Sequence, residues 1–117
     1  MGKVYLKVNI DSEFENSVFM GNAIKVKNKI FYKEKDISVT ILIYKNKIEM
    51  KRYCKEYQIN LIFDKSSITK STYKLFNMDK EFILNTKTIE LNICDNNIYL
   101  EYDLEGNIFK YNLVIGG

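Results

Sequence analysis

The sequence predicts an all-β protein, an antiparallel up-and-down meander closed into a β-barrel. Apolar and polar residues alternate along most of the chain, from 4–10 near the start to 109–115 near the end. Successive side chains of a strand point to opposite faces, so this period of two indicates a sheet with one buried side. Because roughly eight to eleven strands in an open sheet would leave long exposed edges, we expect closure, with a two-sheet sandwich as the alternative.

Size and composition favour one barrel domain over residues 1–117. The chain has 117 residues, 46% of them hydrophobic, no proline and five glycines, and no linker divides it. It lacks the apolar segment of a signal peptide and any run of about 18 apolar residues, so we predict a cytoplasmic protein outside the membrane. Cys54 and Cys94 are predicted to be reduced thiols packed as small hydrophobes.

The first four strands are predicted at about 3–11, 16–27, 30–34 and 37–45. Gly21, in the middle of the second, suggests a bulge or a sharp bend. The predicted inner faces are Val4, Leu6, Val8 and Ile10; then Val18, Met20, Ile24 and Val26; then Ile30, Tyr32 and Glu34; then Val39, Ile41 and Ile43.

The segment 47–54 is ambiguous. As a strand it turns Ile48, Met50 and Arg52 inward, whereas a helix over about 49–58 would expose Arg52 to water. We favour the strand, because the turn at Asn46 joins two alternating runs as a hairpin does.

Five further runs complete the meander, and the last hairpin, with its turn at Glu105-Gly106-Asn107, is the clearest. A change of phase is predicted near Lys87. The predicted inner faces are Tyr57, Ile59, Leu61 and Phe63; Tyr73 and Leu75; Phe82, Leu84 and Thr86, followed by Ile89, Leu91 and Ile93; Ile98, Leu100, Tyr102 and Leu104; and Phe109, Tyr111, Leu113 and Ile115.

Two stretches carry a family resemblance. The first holds Tyr32-Lys33-Glu34, Val39-Thr40 and Arg52, and the second runs from Phe63 through Tyr73-Lys74 and 84–88 to Tyr102-Asp103. In order and spacing, over about residues 22–115, they resemble the YwiB-like family of small bacterial proteins. Tyr53 and Lys80 stand where that family often has glycine. The resemblance implies a calycin-type (lipocalin-like) β-barrel and brings no activity with it.

Arg52 is the most informative candidate site residue, because it is the only arginine among eighteen basic residues. Its planar guanidinium stays charged when buried and binds a carboxylate through two hydrogen bonds. The face assignments turn both Arg52 and Glu34 inward, so we predict that they pair. The predicted polar cluster is Arg52, Glu34, Tyr32, Tyr102, Tyr73 and Thr86.

Two interpretations of this cluster stay open. In the first, Arg52 and Glu34 are a structural ion pair that closes one end of the barrel. In the second, Arg52 anchors the acidic group of a small ligand with an apolar body, since small barrels can hold one such molecule.

Catalysis is not expected. Histidine, the commonest general base near neutral pH, is absent, and no metal, nucleotide or other cofactor motif occurs. We therefore predict a non-catalytic binding protein without a cofactor.

Two other function classes remain. In the first, the barrel is filled by its own side chains, and the protein binds a protein partner or a second copy of itself. The contact would be made by a strand edge or by the outward Tyr5, Tyr44, Tyr53 and Tyr99. RNA binding is the weakest alternative, because the net charge is only +3 and acids lie among the lysines.

Overall fold

The computed structural model describes residues 2–116, which form ten β-strands and, within that range, no helix. The strands are β1 (Gly2–Ser12), β2 (Asn16–Val26), β3 (Lys29–Glu34), β4 (Ile37–Ile43), β5 (Lys47–Tyr53), β6 (Tyr57–Asp64), β7 (Thr69–Leu75), β8 (Lys80–Cys94), β9 (Asn97–Leu104) and β10 (Asn107–Ile115). None of the described residues belongs to a helix long and apolar enough to cross a membrane.

The strands form a closed antiparallel barrel in which each strand pairs with its neighbours in sequence. β1 closes the ring against β10 over the seven residue pairs from Leu6–Ile115 to Ser12–Phe109. The predicted up-and-down barrel is therefore confirmed, and the sandwich alternative is wrong. Closure gives the first and last strands two partners each, which removes the edges that an open meander would expose.

The core lies inside the barrel and is built from alternate residues of the strands. The predicted inner faces of β1, β3, β4, β5, β6, β9 and β10 are confirmed: their apolar members are buried or packed against the buried cluster. At the β9–β10 turn, Glu105 and Gly106 both have positive φ, at 50° and 91°, as a tight two-residue hairpin turn requires.

The face assignment of β2 is wrong. Val18, Met20, Ile24 and Val26 point out of the barrel and are between 41% and 62% exposed. Phe19 and Ala23 face inward, in register with Val8 and Val4 of β1. Alternation defines the period of a strand but not which side is buried, and here most of the apolar residues lie on the exposed side.

Gly21 lies on the inner face of β2 and forms no bulge, because its pairing with Leu6 is in register. A Cβ at this position would stand 2.8 Å from Cζ of Phe19. The ring of Phe19 therefore crosses the space that a side chain would fill. It stacks on Tyr32 of β3, with 4.9 Å between ring centroids.

Segment 47–53 is a strand, so the helix alternative is wrong. Ile48 and Met50 are buried and Arg52 is half-buried on the same inner face, whereas Tyr53 is 52% exposed. All seven residues of β5 pair with β6.

The long strand β8 changes partner along its length. Residues 80–86 pair with β7, and residues 86–94 pair with β9. The change of phase predicted near Lys87 is confirmed, and it takes the form of a β-bulge between Thr88 and Glu90. Phe82 is opposite Tyr73 of β7 and lies on the predicted inner face, but near the end of the barrel it is 46% exposed. Ile89, at the bulge, is 39% exposed, so its predicted inward position is wrong.

The two cysteines are free thiols in different surroundings. Cys54 is buried, as predicted, whereas Cys94 at the end of β8 is exposed.

Candidate functional site

Arg52 and Glu34 form the predicted ion pair inside one end of the barrel. Nη2 of Arg52 donates to Oε1 of Glu34 at 3.3 Å, and the two side chains are 18% and 22% exposed. They come from β5 and β3, on either side of β4. Val39 of β4 is opposite both Arg52 and Tyr32, so the three residues form one row on the inner wall.

A pair of tyrosine hydroxyls crosses the interior beside this ion pair. The hydroxyls of Tyr32 and Tyr111 lie 3.0 Å apart, and both residues are buried. They stand on β3 and β10, which are separated by β1 and β2 in the ring. Tyr111 was predicted to face inward but was not predicted to belong to the polar cluster.

Tyr102 fills the space between two phenylalanines. Its ring lies 4.5 Å from Phe63 and stacks on Phe109 at 5.2 Å, and the residue is 6% exposed. Within residues 2–116 its hydroxyl makes no hydrogen bond, although the residue lines the cavity described below. Tyr102 thus brings a hydroxyl without a described protein partner to the wall of this cavity.

Burial and charge act in opposite directions on these groups. Burial raises the pKa of Tyr111, Tyr102 and Tyr32, although the positive charge of Arg52 lowers each of these values. Burial also lowers the pKa of Arg52, but interactions with Tyr32 and Glu34 outweigh it, so the pKa of Arg52 is raised. The cluster thus holds a permanent cation among neutral phenols at physiological pH.

A cavity of about 380 Å³ opens beside Arg52. It lies at the end of the barrel that carries the β1–β2, β3–β4 and β5–β6 turns. Aliphatic and aromatic side chains make up most of its wall, with polar atoms from one arginine, one glutamate and four tyrosines. The lining residues are Ile10, Glu15, Ile37, Met50, Arg52, Tyr57, Ile59, Leu61, Tyr73, Leu84, Tyr102, Leu104, Phe109 and Tyr111.

Tyr73 lines this cavity, as its place in the predicted cluster requires, together with Tyr57, which the sequence reasoning did not include. The two rings meet edge to face at 5.8 Å. Tyr57 follows the β5–β6 turn only five residues after Arg52. The short spacing and the inward face were the signals that could have placed Tyr57 in the cluster.

Thr86 does not join the Arg52 cluster. Its hydroxyl lies 2.7 Å from the hydroxyl of Ser71, and that of Ser71 accepts a hydrogen bond from the amide of Ile62 at 3.1 Å. This places Thr86 where β7 stops pairing with β6, since that pairing covers only 57–60 of β6. Ser71 therefore accepts a hydrogen bond from a β6 amide that has no β7 backbone partner, and Thr86 contacts Ser71.

Comparison with known proteins decides the family. The profile described as domain of unknown function (DUF1934) matches residues 6–112, which is most of the chain. The chain belongs to the DUF1934 family.

A solved structure supports the fold of this DUF1934 protein. The crystal structure of the ywiB protein from Bacillus subtilis matches it with a TM-score of 0.66 and 16% sequence identity, covering 98% of this chain and 89% of that one. The family match and this structural likeness together confirm the YwiB-like resemblance. At 16% identity the likeness by itself shows only the barrel fold. No curated protein matches the DUF1934 chain.

Proposed function

We propose that this protein is a non-catalytic binding protein whose barrel cavity takes a small molecule with an apolar body and an acidic group. The observation that supports the proposal most strongly is the position of Arg52 in the wall of a largely apolar cavity. At about 380 Å³ the cavity falls within the range of small-molecule sites.

The guanidinium has donors to spare. Arginine carries five N–H donors, and Arg52 makes a single contact to Glu34 rather than the paired contact that a carboxylate permits. The hydroxyl of Tyr32 interacts with the same guanidinium, which still leaves donors for a further acidic group. A ligand carboxylate or phosphate can therefore bind Arg52 while Glu34 keeps its own contact. The open hydroxyl of Tyr102 is a second donor for the same acidic group.

Two carboxylates of the protein limit the affinity. Glu34 contacts Arg52, and Glu15, in the β1–β2 turn, also lines the cavity. Each repels an anionic ligand. The proposal therefore predicts that neutralising either carboxylate strengthens binding, whereas a purely structural ion pair predicts no such gain.

The test uses thermal shift and calorimetry with a defined probe set. Medium-chain fatty acids are compared with their amides of equal length, and with acidic aromatic metabolites and nucleotides. We expect an acid of suitable length to stabilise the protein and its amide to bind about tenfold more weakly, because the amide lacks the charge.

Variants of the two charged residues complete the test. Arg52→Gln should abolish the preference for acid over amide, Arg52→Lys should keep part of it, and Glu34→Gln should increase it. The matched control is Lys65→Gln, which removes a cation from an exposed ion pair whose side chains are 60% and 45% exposed and should change nothing. Absence of stabilisation by every probe, or an acid preference that survives Arg52→Gln in a folded protein, would contradict the proposal.

A further inference from the structure

The outer surface of β1, β2 and β3 carries exposed apolar side chains. On the other faces of the barrel such residues are more scattered, but here six occur on three adjacent strands. We call them the β1–β3 outer face: Tyr5, Val18, Met20, Ile24, Val26 and Phe31, which are 38% to 62% exposed. Contiguous exposed apolar groups on a small protein are typical of an interaction surface.

Strand register makes this surface continuous. Met20 is opposite Lys7 and Ile24 is opposite Lys3 of β1, and Ile24 is also opposite Phe31 of β3. A shallow depression of about 430 Å³ lies over Ile24 and Phe31. Lys3 and Lys33 also line this depression.

The charges around these apolar residues are mostly positive. Lys3 and Lys7 of β1 and Lys29 and Lys33 of β3 point outward in alternation with the inner-face residues. Within residues 2–116 none of the four lysines takes part in a salt bridge. Among the described residues, the outward side of the three strands carries one acidic side chain, Asp11, near the end of β1. The surface is thus apolar in its centre and cationic at its rim.

We propose that the β1–β3 outer face docks a partner protein that presents apolar side chains flanked by aspartates or glutamates. Apolar groups on the partner cover Ile24 and Phe31, and its carboxylates meet the four lysines. Complementary charge of this kind directs encounter and excludes partners of the wrong sign. This surface is separate from the barrel cavity, so the inference stands whether or not the cavity binds a ligand.

Other occupants fit this surface less well. A second copy docked by two-fold symmetry would bring the four lysines of each chain against those of the other. Single-stranded nucleic acid is usually bound by aromatic faces on which its bases stack, whereas four of the six apolar residues here are not aromatic. Tryptophan and tyrosine are the usual anchors of a protein at a membrane surface, and this chain contains no tryptophan.

The experiment maps binding by two-dimensional NMR of the full chain. The probes are a synthetic peptide that alternates leucine and glutamate, the same peptide with lysine in place of glutamate, an oligouridine RNA, and vesicles with a fraction of anionic phospholipid. We expect the acidic peptide to shift the resonances of β1–β3, to bind about tenfold more weakly at high salt, and to outcompete the other probes.

Two variants of matched chemistry complete the design. Ile24→Asp should reduce binding of the acidic peptide by at least about tenfold, while Ile83→Asp, at an isoleucine 61% exposed on β8, should leave it unchanged. The double variant Lys3→Glu/Lys33→Glu should move the preference to the lysine peptide. Tighter binding of RNA or vesicles, self-association through this face, or equal effects of Ile24→Asp and Ile83→Asp would overturn the proposal.

Discussion

The β4–β5 hairpin and β2 use the same alternating pattern in opposite ways. In the hairpin the apolar residues Val39, Ile41, Ile48 and Met50 are at most 2% exposed. In β2 the residues of the same type face solvent, and the inner face is supplied mainly by Phe19, Gly21 and Ala23. The hairpin builds the core, whereas β2 contributes one ring to the core and an apolar surface to the outside. An apolar pattern therefore indicates burial only when the phase of the strand is known.

The largest expected effect comes from one substitution made in both regions. Ile41→Ala should lower the free energy of unfolding by about 2 to 5 kcal/mol, because it leaves a cavity in the packed interior. Ile24→Ala should change it by less than about 1 kcal/mol, since Ile24 is 41% exposed. Urea unfolding measures both. Equal losses would mean that β2 buries its apolar face after all.

The ion pair of β5 gives the next effect. Arg52→Ala should cost about 1 to 3 kcal/mol, between the values for exposed and for buried pairs, because it leaves Glu34 partly buried without its partner. Lys65→Ala, in the exposed pair with Glu90, should cost close to nothing. Similar unfolding midpoints for the two variants would show that the interior ion pair contributes no more to stability than a surface ion pair.

The tyrosines that connect the two regions predict a loss of stability at high pH. Tyr32 touches Phe19 of β2, and burial raises its pKa and those of Tyr102 and Tyr111. In the unfolded chain these phenols lose their protons near pH 10, while the folded protein keeps them. Their contribution to the free energy of unfolding is thus complete below about pH 10. Above that pH it falls by up to about 1.4 kcal/mol per pH unit for each tyrosine.

Alkaline unfolding of two variants tests that assignment. Tyr102→Phe should make the fall of stability above about pH 10 less steep, because one buried phenol is gone. Tyr5→Phe, at an outward tyrosine that is 45% exposed, should leave the slope as it is. A slope that is the same in both variants and the original protein would contradict a role for the buried phenols.

The smallest effect sharpens the description of β2. Gly21→Ala should cost about 1 kcal/mol, because the new Cβ displaces the ring of Phe19, whose far end can move. In a Phe19→Leu background the same substitution should cost less, since the ring is absent. Additive costs in the double variant would show that Gly21 and Phe19 do not share that space.

The barrel could be predicted from the sequence because the period of the strands and the chemistry of the turns are local properties. The Arg52–Glu34 pair could also be predicted, since the two residues lie on inner faces with only one strand between them. Features that depend on contacts between distant segments could not be predicted. The contact between Tyr32 and Tyr111 joins residues 79 positions apart, and the place of Thr86 depends on where β7 stops pairing. The phase of β2 was also out of reach, because its exposed side is the more apolar one.

The pairing of β1 with β10 joins the two strands of the barrel that lie farthest apart in the sequence. The other nine strand pairs are hairpins between consecutive segments, whereas this one brings together residues more than ninety positions apart. Joining distant segments costs chain entropy before any contact compensates for it, and proteins with many such contacts fold slowly. We therefore expect the hairpins to assemble first and ring completion to limit the folding rate, so that substitutions between Leu6 and Ser12 slow refolding more than those in the β4–β5 hairpin.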